Sequence, residues 1–139
     1  MKNIPVLIVG GGPVGLSLAL ALARQDIPSL ILEKHPNTTQ HPRARGVNVR
    51  SMELFRQWGN DIELLQYEQP KEAMRFIWAE SLQGKEITRV VIKDHTSDSF
   101  SPTEASLTSQ DRVEESLYHS LIKHKIAEVQ FLKLDVQVF

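Results

Sequence analysis

Three glycines at positions 10, 12 and 15, set directly after a short apolar run, restrict this chain more than any other feature of its sequence. Ile4 to Val9 is rich in β-branched residues without polar alternation, the pattern of a strand buried on both faces. Val14 to Arg24 is rich in Ala and Leu and reads as a helix, apolar nearly all round and so expected to be covered on more than one side. Asp26-Ile27-Pro28 ends it, and Ser29 to Glu33 reads as a second buried strand. Two short parallel strands joined by one helix make a right-handed βαβ unit.

The glycine spacing is G-x-G-x-x-G, and four of the chain's seven glycines fall at positions 10, 11, 12 and 15. Taken alone, such spacing is often only a turn. Between a strand and a helix it has a mechanism. Gly10 permits the tight turn, Gly12 lets the backbone approach a pyrophosphate, and Gly15 lets the helix pack close to the strand. Pro13 suits the first helical position, where its missing N–H costs nothing. The free N–H groups of the first turn, around Val14, then face the phosphates. A helix N-terminus contributes only about 0.3–1 kcal/mol to an anion, whereas micromolar affinity needs roughly 8 kcal/mol, so further contacts are required. Glu33 ends the second strand 18 residues after Gly15, placed to accept both ribose hydroxyls and to repel a 2′-phosphate. Residues 34–52 hold no acid but carry Lys34, Arg43, Arg45 and Arg50, a candidate anion clamp or an ordinary cationic surface. The fingerprint is common to FAD and NAD sites.

Beyond it, 34–47 reads as loop and Arg50 to Trp58 as a helix stopped by Gly59. Ile62 to Tyr67 reads as a short helix, and Ala73 to Glu80 with Lys85 to Ile92 as a hairpin. Residues 94–109 read as a polar loop, and Ser109 to His124 as a helix with Ser109 as N-cap. Glu128 to Leu132 and Leu134 to Phe139 read as strands. The apolar positions of 113–122 read as plain core.

Several classes are excluded or disfavoured. The charge is balanced, with 16 Lys and Arg against 17 Asp and Glu, which opposes a general nucleic-acid or membrane-surface binder. No cysteine is present, so disulfides and thiolate chemistry are absent, and a reducing cytoplasm is the expected setting. The five histidines do not pair with acids at metal-ligand spacing. Residues 1–23 imitate a secretory signal, but Gly10-Gly11-Gly12-Pro13 would break its apolar helix, and the same residues oppose a membrane span.

The segments GGGPVGLSLALALARQDIPSLILEK, PRARGVNVRSMELFRQWG and SQDRVEESLYHSLI together resemble the N-terminal part of the class A flavoprotein aromatic hydroxylases, the relatives of para-hydroxybenzoate, phenol and polyketide hydroxylases. The resemblance spans essentially the whole chain. It implies an α/β, Rossmann-like FAD/NAD(P)-binding fold: a βαβ start, a parallel sheet and an added hairpin, over 1–139 as an incomplete FAD-binding domain. FAD is the implied cofactor and NAD(P)H the co-substrate, with an oxygen atom from O₂ transferred to a small aromatic or polyketide-like substrate. Gly10, Gly12, Pro13, Val14 and Gly15 would hold the pyrophosphate and Glu33 the adenosine ribose, with Lys34 among the cofactor-binding residues. Arg43 and Arg45 would lie near the phosphates, and Gln110 would contact the ribityl side. The hairpin at 73–92 would join the sheet over the substrate pocket, and a second copy of the chain is admitted as a partner. Two departures stand out. Asp26 occupies a position where the family usually has Gly, which asks it to adopt a left-handed conformation. The family's later Asp-Gly and Gly-Asp motifs lie beyond residue 139, and the apolar ending Val136-Gln137-Val138-Phe139 agrees with a fragment of about the first third. An NAD-dependent dehydrogenase domain and a non-catalytic nucleotide-binding module are the alternatives.

Overall fold

The element order is β1 (Val6–Val9), α1 (Pro13–Ala23), β2 (Ser29–Glu33), α2 (Val49–Trp58), α3 (Asp61–Leu65), β3 (Arg75–Ala79), β4 (Glu86–Val91), α4 (Gln110–Lys123) and β5 (Ala127–Phe131). The computed structural model describes residues 4–39, 44–70, 73, 75–91 and 101–131. The expected strand Leu134 to Phe139 lies outside the described residues, as does Arg43. The chain divides into two compact units, Met1–Ala44 with Ser109–Phe139, and Arg45–Thr108.

In the first unit β1, β2 and β5 form a parallel sheet with β2 in the middle. Register places Ile8 beside Ile31 and Val129 on one face, and Leu7 beside Leu30 and Glu128 on the other. α1 and α4 pack on each other and on the sheet. α1 buries Leu16, Ala19, Leu20 and Ala23, one stripe at i, i+3, i+4 and i+7. α4 answers with Val113, Leu117 and Leu121, so the stripe read as core is core, although Ile122 is exposed.

Two expectations are corrected here. β1 is not buried on both faces, because Leu7 and Val9 are exposed while Ile8 is buried. Nor is α1 covered all round, because Val14 and Leu18 are exposed. The reason is the same in both cases. Among the described residues, apolar cover exists on one side of each element only. The left-handed residue after α1 is Asp26, at φ 57°, as its position demanded.

The second unit holds α2, α3 and the hairpin. Asn48 caps α2 by accepting from the Ser51 N–H at 2.8 Å, and Gly59 ends it at φ 82°. α3 starts one residue before the expected Ile62 and ends two before the expected Tyr67. Met52, Phe55 and Leu64 form a small core. The supposed polar loop is more structured than its composition suggests. Ser106 pairs with Val47 as an antiparallel bridge, and Ser106 and Thr108 are buried with hydroxyls 2.9 Å apart. β3 and β4 pair antiparallel with a register shift at Trp78/Ala79. No described helix is long and apolar enough to cross a membrane.

Candidate functional site

The turn between β1 and α1 is built from glycines that do different things. Gly10 sits at φ +104°, a conformation L side chains rarely adopt, while its N–H donates to the Leu32 carbonyl at 2.8 Å. A Cβ on Gly15 would stand 2.0 Å from the Gly10 carbonyl oxygen and 3.3 Å from Ile8. The close helix–strand approach therefore depends on its absence. Gly12 is different. Its backbone, at φ −76° and ψ −173°, is extended and open to any residue. Among the described residues a Cβ there would meet only Glu114 Oε1 at 3.9 Å, an ordinary contact. Nothing among the described residues demands glycine at position 12.

Gly12 is also the N-cap of α1 and supplies no side chain to cap it, Pro13 follows at the start, and the first turn holds no acid. The N–H groups that begin a helix are left without intrahelical partners, so this end presents donors and a partial positive charge.

Glu33 closes β2 on the same face as Ile31, the face carrying α1. Its Oε2 accepts from the Gly11 N–H at 2.5 Å and its Oε1 from the His35 N–H at 2.8 Å. Partial burial pushes the carboxyl upward. The backbone donors at His35, Gly11 and Lys34, with the nearby His35 imidazole, outweigh it, and the net shift is below the ordinary 4.5. Gly11 is the residue that sequence reasoning passed over in this turn. A Cβ on it would press within 3.0 Å of Glu33 Cβ.

These groups border a cleft of about 880 Å³ lined by Gly11, Gly12, Glu33, Lys34, the 35–39 segment, Gln110 and Glu114. Of the residues singled out in the sequence, Gly12, Glu33, Lys34 and Gln110 line it together. Gly10 and Gly15 shape the turn instead, Pro13 starts the helix, and Val14 is 83% exposed. Arg45 is exposed and belongs to the second unit. The cleft also contains a residue the sequence reading missed. Glu114 is only 3% exposed, and accepts from Gln110 Nε2 and from the Thr39 N–H, each at 2.7 Å. Its signal was an acid beside Val113 within the buried stripe of α4.

A βαβ unit with this turn and a parallel sheet is Rossmann-like, and comparison with known proteins takes the assignment further. The family described as the FAD binding domain matches residues 3–137, and the chain belongs to it. The chain is 32% identical to tetracenomycin B2 monooxygenase-dioxygenase of Streptomyces olivaceus, over 93% of its own length and 27% of that protein. Among solved structures it resembles the flavin-dependent monooxygenase PieE in complex with FAD and substrate, at 29% identity and a TM-score of 0.80 over 94% of this chain and 24% of that one. It also resembles aklavinone-11 hydroxylase with FAD and aklavinone, at 31% identity and a TM-score of 0.79 over 94% and 26%. The chain thus spans about a quarter of the length of these relatives.

Proposed function

We propose that this chain is the N-terminal FAD-binding part of a flavin-dependent monooxygenase that uses NAD(P)H and O₂ to hydroxylate an aromatic, polyketide-like substrate. The observation that carries the cofactor reading is Gly12: an unstrained backbone with room for a side chain, placed at an uncapped helix start on the edge of a cleft. Its missing Cβ is accounted for by a diphosphate drawn against the main chain. The residues present fit the ADP half of FAD. Glu33 offers acceptors to the ribose hydroxyls, the start of α1 offers donors to the pyrophosphate, and Lys34 supplies a cation beside them. FAD, when bound, supplies the redox chemistry, and this part of the chain binds and orients it. The hydroxylase reading draws support from the relatives, whose names are those of monooxygenases and of a hydroxylase crystallised with aklavinone.

The test is colour and turnover. The full-length protein is expected to purify with flavin absorbance and to consume NAD(P)H faster when an anthraquinone-type polyketide is added. A colourless protein that is stabilised by NAD and not by FAD would overturn the proposal in favour of a dehydrogenase domain.

A further inference from the structure

Glu114 is a buried carboxylate in the wall of the cleft, and its two hydrogen bonds reach in different directions. Oε1 accepts from the side-chain amide of Gln110, one helical turn earlier on α4. Oε2 accepts from the backbone N–H of Thr39, 75 residues away in sequence, at the end of the segment forming another wall. A carboxylate holding two N–H donors offers no hydrogen in return. The chemistry therefore fixes the orientation of Gln110: its NH₂ must face Glu114, and the carbonyl oxygen lies on the other side of the amide. That oxygen has no partner among the described residues and belongs to a side chain that lines the cleft.

We infer that Glu114 is a positioning residue that fixes the polarity of Gln110, so that the glutamine presents an acceptor to the ligand and selects a hydroxyl donor there. This rests on the FAD reading and deepens it. With Glu33 and Gly11 on the ribose side of the cleft and the start of α1 on its phosphate side, Gln110, which also lines the cleft, would meet the ribityl chain, as the resemblance to the flavoprotein hydroxylases implies. ADP carries the ribose and the diphosphate but not that chain. Replacing Glu114 with Gln gives Gln110 a neighbour that can donate as well as accept, and the fixed orientation is lost.

The experiment titrates the full-length protein, stripped of flavin, with FAD and separately with ADP. Glu114→Gln is expected to weaken FAD about tenfold and to leave ADP within about twofold. In a Gln110→Met background, where the acceptor is already gone, Glu114→Gln is expected to add no further loss of FAD, as a double-mutant cycle reads directly. Gln110→Met alone provides the second route if Glu114→Gln fails to fold, and it should lose FAD by the same factor with ADP retained. Equal losses of FAD and ADP in Glu114→Gln, a loss that persists in the Gln110→Met background, or unchanged FAD binding in Gln110→Met would each overturn the assignment. Failure of the unmutated protein to bind FAD would instead overturn the cofactor reading itself.

Discussion

The glycine turn and the β3–β4 hairpin contain comparable runs of apolar sequence but differ in what they find to touch. At the turn, β1 and β2 place Ile8 and Ile31 under α1, Gly11 and Gly15 are set by contacts within a few ångströms, and Gly10 is set by its left-handed backbone. In the hairpin every described residue of both strands is exposed, including Phe76, Ile77, Trp78, Ile87, Val90 and Val91. Phe76 and Trp78 lean on each other with ring centres 6.0 Å apart, and Arg89 pairs with Glu86 at 2.5 Å. An exposed ion pair of this kind contributes about 0–1 kcal/mol, and a lone two-stranded hairpin is marginal in water. Internal packing therefore accounts for Gly11 and Gly15 of the turn, while nothing within its own unit that the structure describes accounts for the apolar residues of the hairpin.

The contrast can be broken at several points. Gly15→Ala should cause the largest effect, because the new methyl would stand 2.0 Å from a backbone oxygen. A loss of at least about 3 kcal/mol is expected, seen in thermal unfolding as a drop of about 10 °C. A Tm near that of the parent protein would show that the turn yields more easily than its geometry implies. Gly12→Val sharpens the same point from the other side: the fold should survive, with near-native circular dichroism, while flavin is lost on gel filtration. Retained flavin would mean that position 12 does not face the cofactor. Glu33→Ala should weaken FAD by about 1–3 kcal/mol in titration, the scale of a lost hydrogen bond to a charged group.

A pH series tests the same carboxylate. Because its folded value is held below 4.5, the stability it adds is fully present above that pH and is lost as pH falls through the lowered value. The Tm difference between the parent and Glu33→Gln should be constant above pH 4.5 and close in more acidic buffer; a difference that grew there would reverse the sign of the argument. Smallest of all, Trp78→Ser should change stability by no more than about 0.5 kcal/mol. A larger loss in the full-length protein would reveal that the hairpin is packed against something after all.

The parts legible in the sequence were those encoded by neighbours in the chain. Gly10, Gly12 and Gly15 are spaced by the geometry of one turn, Gly59 marks the end of α2, and Asp26 sits where the chain must turn left-handed. The hairpin and the helix after Ser109 came from periodicity, to within a few residues, though Ser109 caps by position and not by a side-chain bond. What escaped depends on residues far apart. Glu114 looks like an ordinary helix acid until Thr39 meets it, and Ser106 looks like loop until Val47 pairs with it. The exposed faces of β1 and α1 escaped for the opposite reason, because apolar composition reports a need for cover and not whether the described residues provide it.

β2 has five residues, and the acid that completes the cleft is its last. Side chains along a strand alternate between faces, so Glu33 reaches Gly11 only because an even number of steps separates it from Ile31 and Ser29. A single codon inserted or deleted within this strand would throw the carboxylate to the opposite face of the sheet, bringing Leu32 over the glycines when it is inserted ahead of that residue and Lys34 when it is deleted. The strand can therefore change length only in pairs if the carboxylate is to keep its face.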